Sequence, residues 1–142
     1  VGPFGGWQPE TTRRELDVGS LVLIVEDNVM ARHALNTLIR RAGHATITAA
    51  TVREALERLG AGPSHVVLDM NLPDGLGTTV LRRIRAGRLP MKVAVLSACV
   101  DRAVMSEAAS LLPDAVFAKP INIDVLLNWL VASRGEPQVT PA

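Results

Sequence analysis

His65-Val-Val-Leu-Asp69-Met-Asn71-Leu-Pro73-Asp-Gly-Leu-Gly77 is the stretch around which the chain is organised. A short apolar run ends in an acid, and a turn rich in proline and glycine follows. A run of this length between breakers suits a strand buried on both faces of a parallel sheet. Asp69 then stands at the strand's C-terminal edge, where open α/β sheets place their ligands and chemistry. Three other apolar runs end in the same way. Leu21–Val25 leads into Glu26-Asp27, Met91–Leu96 ends on Ser97, and Ala115–Ala118 leads into Lys119-Pro120. Four strand ends thus carry, in order, an acid pair, an acid, a hydroxyl and an ammonium.

The 142 residues, 48% of them hydrophobic, can bury one sizeable core as a single domain. A net charge of +1 provides no global field for nucleic acid or a membrane surface. The one cysteine, Cys99, excludes a disulfide framework and fits a reducing, cytoplasmic setting. No apolar stretch approaches the length of a membrane span, and no signal peptide is expected. The four aromatics (Phe4, Trp7, Phe117, Trp129) are too few for a base-stacking platform. The first residue is Val1, a start expected of a cut piece or a tagged chain.

Residues 1–19 are rich in Gly, Pro and polar side chains and read as a flexible tail or linker, despite a capping-box pattern at Thr12–Glu15 and a stray Trp7. Residues 20–134 read as the folded domain and 135–142 as a polar tail. Asn28 is expected to cap a first helix with Ala31, Ala34, Leu35, Leu38 and Ala42 as its apolar stripe, ended by Gly43. Ala45–Ala49 is a short strand. Thr51 caps a second helix with Val52, Ala55, Leu56 and Leu59 on one face. A third runs from about Thr78 to Ala86, burying Val80, Leu81 and Ile84, with Arg82, Arg83, Arg85 and Arg88 solvated at its far end. Asp101 caps a fourth helix to about Leu112, and Asn122 a fifth to about Ser133. Strand and helix alternate five times. The alternation calls for a doubly wound α/β fold, a parallel sheet with right-handed crossovers and helices on both faces.

Three carboxylates brought together resist ionising at once and need compensation. A hard divalent cation with oxygen ligands supplies it, Mg²⁺ being the natural choice. Lys119 adds a point charge suited to a carboxylate or phosphoryl oxygen, and Ser97 adds a hydroxyl donor. A carboxylate nucleophile, a metal, an ammonium and a hydroxyl are the parts needed to accept a phosphoryl group. Each residue alone has a plainer reading as a strand end, a helix cap or a solvated charge; four successive strand ends together do not.

Those runs carry a resemblance. Val25-Glu26-Asp27-Asn28, Leu68-Asp69-Met-Asn-Leu-Pro73-Asp-Gly, Leu96-Ser97-Ala98 and Ala118-Lys119-Pro120, in that order and spacing, make residues from about Leu21 to Ser133 similar to the receiver domains of two-component response regulators. The resemblance implies a flavodoxin-like, five-stranded parallel sheet of order 2-1-3-4-5 flanked by five helices. Strands one and three are then neighbours, and Glu26, Asp27 and Asp69 converge. It implies that Asp69 is the phosphoacceptor for a histidine kinase or histidine phosphotransfer protein. Asp27, Asp69 and the Asn71 carbonyl would bind Mg²⁺, with Glu26 acting through a water. Ser97 and Lys119 would contact the phosphoryl oxygens, and the Lys119–Pro120 bond would be cis. The expected role is signalling rather than enzymatic turnover. Asp74, beyond Pro73, is expected to be solvated.

Three departures stand out. Glu26 replaces a common Asp, Ser97 replaces a frequent Thr, and Val116 occupies the position of an aromatic that swings inward on activation. Phe117 is one residue too late, because neighbouring strand positions face opposite ways. A receiver-like binding module is one alternative. A phosphatase of the haloacid-dehalogenase type is another, but Glu26-Asp27-Asn28 lacks the Asp-x-Asp pattern which that family needs after its first strand. On the last helix Ile123, Leu126, Leu127 and Leu130 form the core side. Val125 and Trp129 fall on the outer face, as a surface for dimerisation or effector docking; the alternative is that Trp129 lies flat against the domain as a boundary residue.

Overall fold

The computed structural model describes residues 20–98 and 102–133. Its elements alternate: β1 (Leu21–Val25), α1 (Val29–Arg41), β2 (Ala45–Ala49), α2 (Val52–Arg58), β3 (His65–Asp69), the short pair β4 (Asn71–Leu72) and β5 (Gly75–Leu76), α3 (Thr78–Ala86), β6 (Lys92–Ser97), α4 (Arg102–Ser110), β7 (Ala115–Ala118) and α5 (Ile123–Ala132). The five main strands are all parallel, in the order β2-β1-β3-β6-β7. This is the expected 2-1-3-4-5 order, with two labels taken by the β4–β5 hairpin. That hairpin is the Pro-Gly turn after Asp69, folded back on itself as a two-residue antiparallel ladder.

Strand alternation splits the core into two layers. Leu23, Val25, Val66, Leu68, Val93 and Val95 pack with residues of α2, α3 and α4 on one face. Val22, Ile24, Val67, Ala94 and Leu96 pack with α1 and α5 on the other. β1 and β3 lie in the middle of the sheet and are buried on both sides, which is why they read as unbroken apolar runs.

The expected caps at Asn28, Thr51 and Asn122 form, each side chain accepting from an amide of its own first turn. Gly43, at φ +105°, follows the end of α1 in a conformation that a side chain would disfavour. The stripe of α1 differs from expectation. Leu35 and Ile39 are the buried pair, whereas Ala34 and Leu38 are exposed. Leu38 sits one residue short of the sheet-facing line and borders an open groove between α1 and the chain leading into α5. The expected features at residues 1–19, Cys99, Asp101 and 135–142 lie outside the described residues.

The arginines of α3 are not uniformly solvated. Arg82 pairs with Glu107 of α4. Arg85 donates to the carbonyls of Leu111 (3.0 Å) and Leu112 (2.7 Å) and reaches Asp114 at 3.2 Å. It thus holds the turn that ends α4, where Leu112 takes a left-handed φ of +55°. Arg83 and Arg88 remain exposed.

The last helix decides between the two readings of Trp129. Val125 is exposed, but Trp129 folds back onto the domain. Its ring stands edge-on to His65 at 5.4 Å and to Phe117 at 6.2 Å. A helical wheel places the Cα of Trp129 off the core line, yet an indole is long enough to reach across to the sheet edge. The buried His65 ring makes this possible. Its Nδ1 meets Ser64 Oγ at 2.8 Å and its Nε2 meets Ser133 Oγ at 2.9 Å. Ser133 Oγ also donates to the Trp129 carbonyl (2.6 Å), which ties the end of α5 to the same ring.

Gly77 begins α3 against the end of β3, and a Cβ there would lie 2.3 Å from the Asp69 carbonyl oxygen. The obstructing atom is backbone and cannot swing away. Gly77→Ala should therefore lower unfolding stability by about 1–3 kcal/mol, measured by urea denaturation; wild-type stability would refute this close approach.

Candidate functional site

The C-terminal ends of β1 and β3 are adjacent, with Val25 paired to Leu68, so the residues that follow them meet. One carboxylate oxygen each from Glu26, Asp27 and Asp69 lies within 4.8 Å of the others. Glu26 and Asp69 are buried and Asp27 is exposed, so the cluster opens to solvent on the Asp27 side. Lys119 enters from the edge strand β7, after a cis Lys119–Pro120 bond. Its Nζ lies 3.2 Å from Glu26 Oε1 and 3.2 Å from Asp69 Oδ2. The cluster and the ammonium converge as expected.

Local hydrogen bonds aim these groups. Glu26 Oε2 accepts from Asn28 N at 3.1 Å, and Asp69 Oδ1 from Asn71 N at 3.2 Å. Arg32 Nη1 donates to the backbone carbonyls of Glu26 (2.9 Å) and Asp27 (3.3 Å), pinning the loop that presents the acid pair. Nothing in the sequence singled out Arg32, because a basic residue early in a helix has no motif of its own.

Electrostatics follow from this geometry. Burial pushes the Glu26 carboxyl above its ordinary pKa, and the Asp69 charge adds to this; the Asn28 amide and Lys119 pull it back in part. Burial alone would lower the Lys119 pKa. The Asp69 charge, with hydrogen bonds to Glu26 and Asp69, outweighs burial and leaves the pKa raised. Lys119 therefore stays protonated and serves as the resident counter-cation.

The oxygen set also fits a small divalent cation. Octahedral ligands about 2.1 Å from Mg²⁺ stand at most about 4.2 Å apart, and the three carboxylate oxygens are spaced on that scale. Among the described residues this is the one acidic group so arranged.

Ser97 and Asp74 make contacts that the sequence did not indicate. Ser97, buried at the end of β6, donates its hydroxyl to the Met105 sulfur at 3.3 Å, while its carbonyl accepts from Lys119 N at 3.0 Å. Asp74 is exposed, as expected, and also serves as a cap. Its carboxylate accepts from Val52 N (2.7 Å) and Arg53 N (3.1 Å), capping α2 from across the site. Sequence spacing could not reveal a cap donated from 22 residues away. Val116 is half exposed on the outer face of β7, and Phe117 faces α5, so the aromatic does not substitute for it.

The Val52 amide hydrogen bond, set against a smaller burial effect and joined by that of Arg53, holds the Asp74 pKa below the aspartate norm. A depressed folded-state pKa contributes stability above the unfolded value, and this is lost as pH falls through the folded one. Asp74→Asn should therefore lower the Tm at neutral pH, and the gap to wild type should close in acid. A gap independent of pH would rule out the charged cap.

Comparison with known proteins agrees with this geometry. Residues 22–131 match the family model described as the response regulator receiver domain. The chain is 33% identical over 112 residues to the transcriptional regulatory protein PhoP of Escherichia coli, covering 78% of this chain and 50% of that protein. It thus spans half the length of that regulator. A CheY-like receiver domain protein from Methanospirillum hungatei superposes with a TM-score of 0.75 at 24% identity, covering 80% of this chain and 91% of that one. A response regulator from Burkholderia pseudomallei, solved with a phosphorylated aspartic acid, calcium ion and citrate, gives 0.71 at 24% identity, covering 78% and 66%. A family match across 22–131 excludes a dehalogenase-type phosphatase, and the chain belongs to the response regulator receiver domain family.

Proposed function

We propose that this receiver takes a phosphoryl group onto Asp69 from a phosphohistidine on a sensor kinase or phosphotransfer protein, and thereby switches partner binding. The observation that carries the reading is the Asp69 carboxylate, only 4% exposed at a strand end, held between the Glu26–Asp27 pair and the Lys119 ammonium. An Asp69 oxygen attacks phosphorus as the donor's nitrogen–phosphorus bond breaks, and the electron pair returns to the imidazole. Lys119, already 3.2 Å from Asp69, neutralises charge on the phosphoryl oxygens. The Ser97 hydroxyl, at the end of the neighbouring strand β6, donates to them as well. Glu26, Asp27, Asp69 and the Asn71 carbonyl would hold Mg²⁺, which supplies further neutralisation of the transferring group. The phosphorylated aspartic acid and calcium ion of the Burkholderia regulator support this reading by analogy of fold. The process is stoichiometric, one labile acyl phosphate per chain followed by slow hydrolysis, in keeping with a signalling role. Val29 and Met30, 67% and 82% exposed just beyond the Glu26–Asp27 pair, give the donor an apolar footing beside the pocket.

Asp69→Asn is nearly isosteric and should fold while taking no label from a small phosphodonor with Mg²⁺. Wild-type levels of hydroxylamine-sensitive label on that variant would move the acceptor elsewhere. Mg²⁺ should bind weakly and raise the Tm, since it binds the clustered carboxylates only in the folded state. Asp27→Ala should abolish that rise and Asp74→Ala should retain it. A rise that survives in the Asp27 variant would sink the assigned metal ligands.

A further inference from the structure

The three carboxylates that face a cation are held unequally. Glu26 is fixed several times over: its amide donates to the Ala49 carbonyl at 3.0 Å, its Oε2 accepts from Asn28 N, and its Oε1 meets Lys119. Asp69 is buried at the end of β3 and bonded to Asn71 N and Lys119. Asp27 is exposed and belongs to no helix or strand. Among the described residues its one hydrogen bond runs from Arg32 Nη1 to its carbonyl, at 3.3 Å; the same nitrogen donates to the Glu26 carbonyl at 2.9 Å. Those two carbonyls belong to the peptide planes on either side of Asp27. Two planes turned towards one nitrogen fix the direction in which the Asp27 side chain leaves the backbone. Among the described residues Arg32 forms no ion pair, so it sets the loop without occupying a carboxylate oxygen. Its position works against α1, because a cation in the first turn opposes the helix dipole and no acid stands there to offset it.

We infer that Arg32 is a positioning residue for the divalent-cation site. By orienting Asp27 it sets the affinity for Mg²⁺, and with it the Mg²⁺ concentration at which Asp69 takes a phosphoryl group. The inference rests on the metal ligands and the phosphoacceptor proposed above. A group that orients a metal ligand governs affinity by about tenfold or more when it is removed. The sign of the effect separates geometry from charge. A guanidinium bonded to the backbone of the ligands repels a cation, so removing its charge alone would tighten Mg²⁺ binding. A loss of affinity on removing Arg32 therefore comes from a ligand that is no longer aimed.

The test titrates Mg²⁺ into the full chain without a phosphodonor and reads the affinity by calorimetry and from the rise in Tm. Arg32→Met keeps a long side chain, is a good helix former and relieves the dipole, so α1 is expected to form. It should weaken Mg²⁺ binding about tenfold, and the Mg²⁺ concentration for half-maximal labelling of Asp69 should rise by the same factor. Arg32→Lys keeps a donor and should recover part of the affinity. Arg40→Met removes an exposed cation from the last turn of the same helix and should match wild type. Unchanged or tighter Mg²⁺ binding by Arg32→Met overturns the inference and leaves the phosphoacceptor reading standing, as does a loss that Arg40→Met reproduces. If the wild type binds Mg²⁺ and Asp69 takes no label, the phosphoacceptor reading fails and the positioning role stands. A wild type that binds no Mg²⁺ overturns the positioning role together with the assigned metal ligands.

Discussion

The structure depends on how it compensates three carboxylates at the edge of one sheet. Glu26 and Asp69 are buried side by side, which their mutual repulsion and loss of hydration oppose. The Lys119 ammonium, 3.2 Å from each, makes the arrangement tenable. It comes from β7, two strands away from β3 in the sheet. The backbone supports the same link, with Lys119 N bonded to the Ser97 carbonyl. The edge strand thus completes the centre, and the charge balance of the pocket reports on how β7 and its following loop are seated.

The loop after Asp69 is tied down from three sides. Asn71 N returns to the Asp69 carboxylate, Gly77 packs against the Asp69 carbonyl with no room for a side chain, and Asp74 caps α2. These contacts join the acceptor to α2 and α3 as well as to its own strand. A carboxylate must be held closely if catalysis is mostly positioning and charge neutralisation. Away from this edge, Arg40 and Arg41, Arg58, and Arg83 and Arg85 occupy the last turns of α1, α2 and α3. Parallel strands with helical crossovers put helix C-termini at the end of the sheet opposite the pocket, where cations suit the helix dipole.

The fold and the acid cluster were legible in the sequence because both rest on short-range regularities. Apolar runs of strand length, helix caps at Asn28, Thr51 and Asn122, and breakers such as Gly43 are local, and each met its expected partner. In a parallel sheet every strand ends at the same edge, so an acid pair, an acid, a hydroxyl and an ammonium at successive strand ends had to share that edge. Their identity and order therefore determined the pocket's composition.

Only the tertiary structure decided how side chains at the margins are spent. Trp129 turns inward because a buried His65 ring and Phe117 receive it, which no helical wheel represents. Asp74 caps a helix that precedes it in the chain, and Arg85 holds the end of one that follows it, through contacts spanning more than 20 residues. The Ser97 hydroxyl meets the Met105 sulfur of the next helix at 3.3 Å. Each of these outcomes is a competition among partners brought close by the fold. Residue spacing defines which positions share a face or an edge; which neighbour wins a hydrogen bond or a ring contact depends on distances that exist only once the layers have packed.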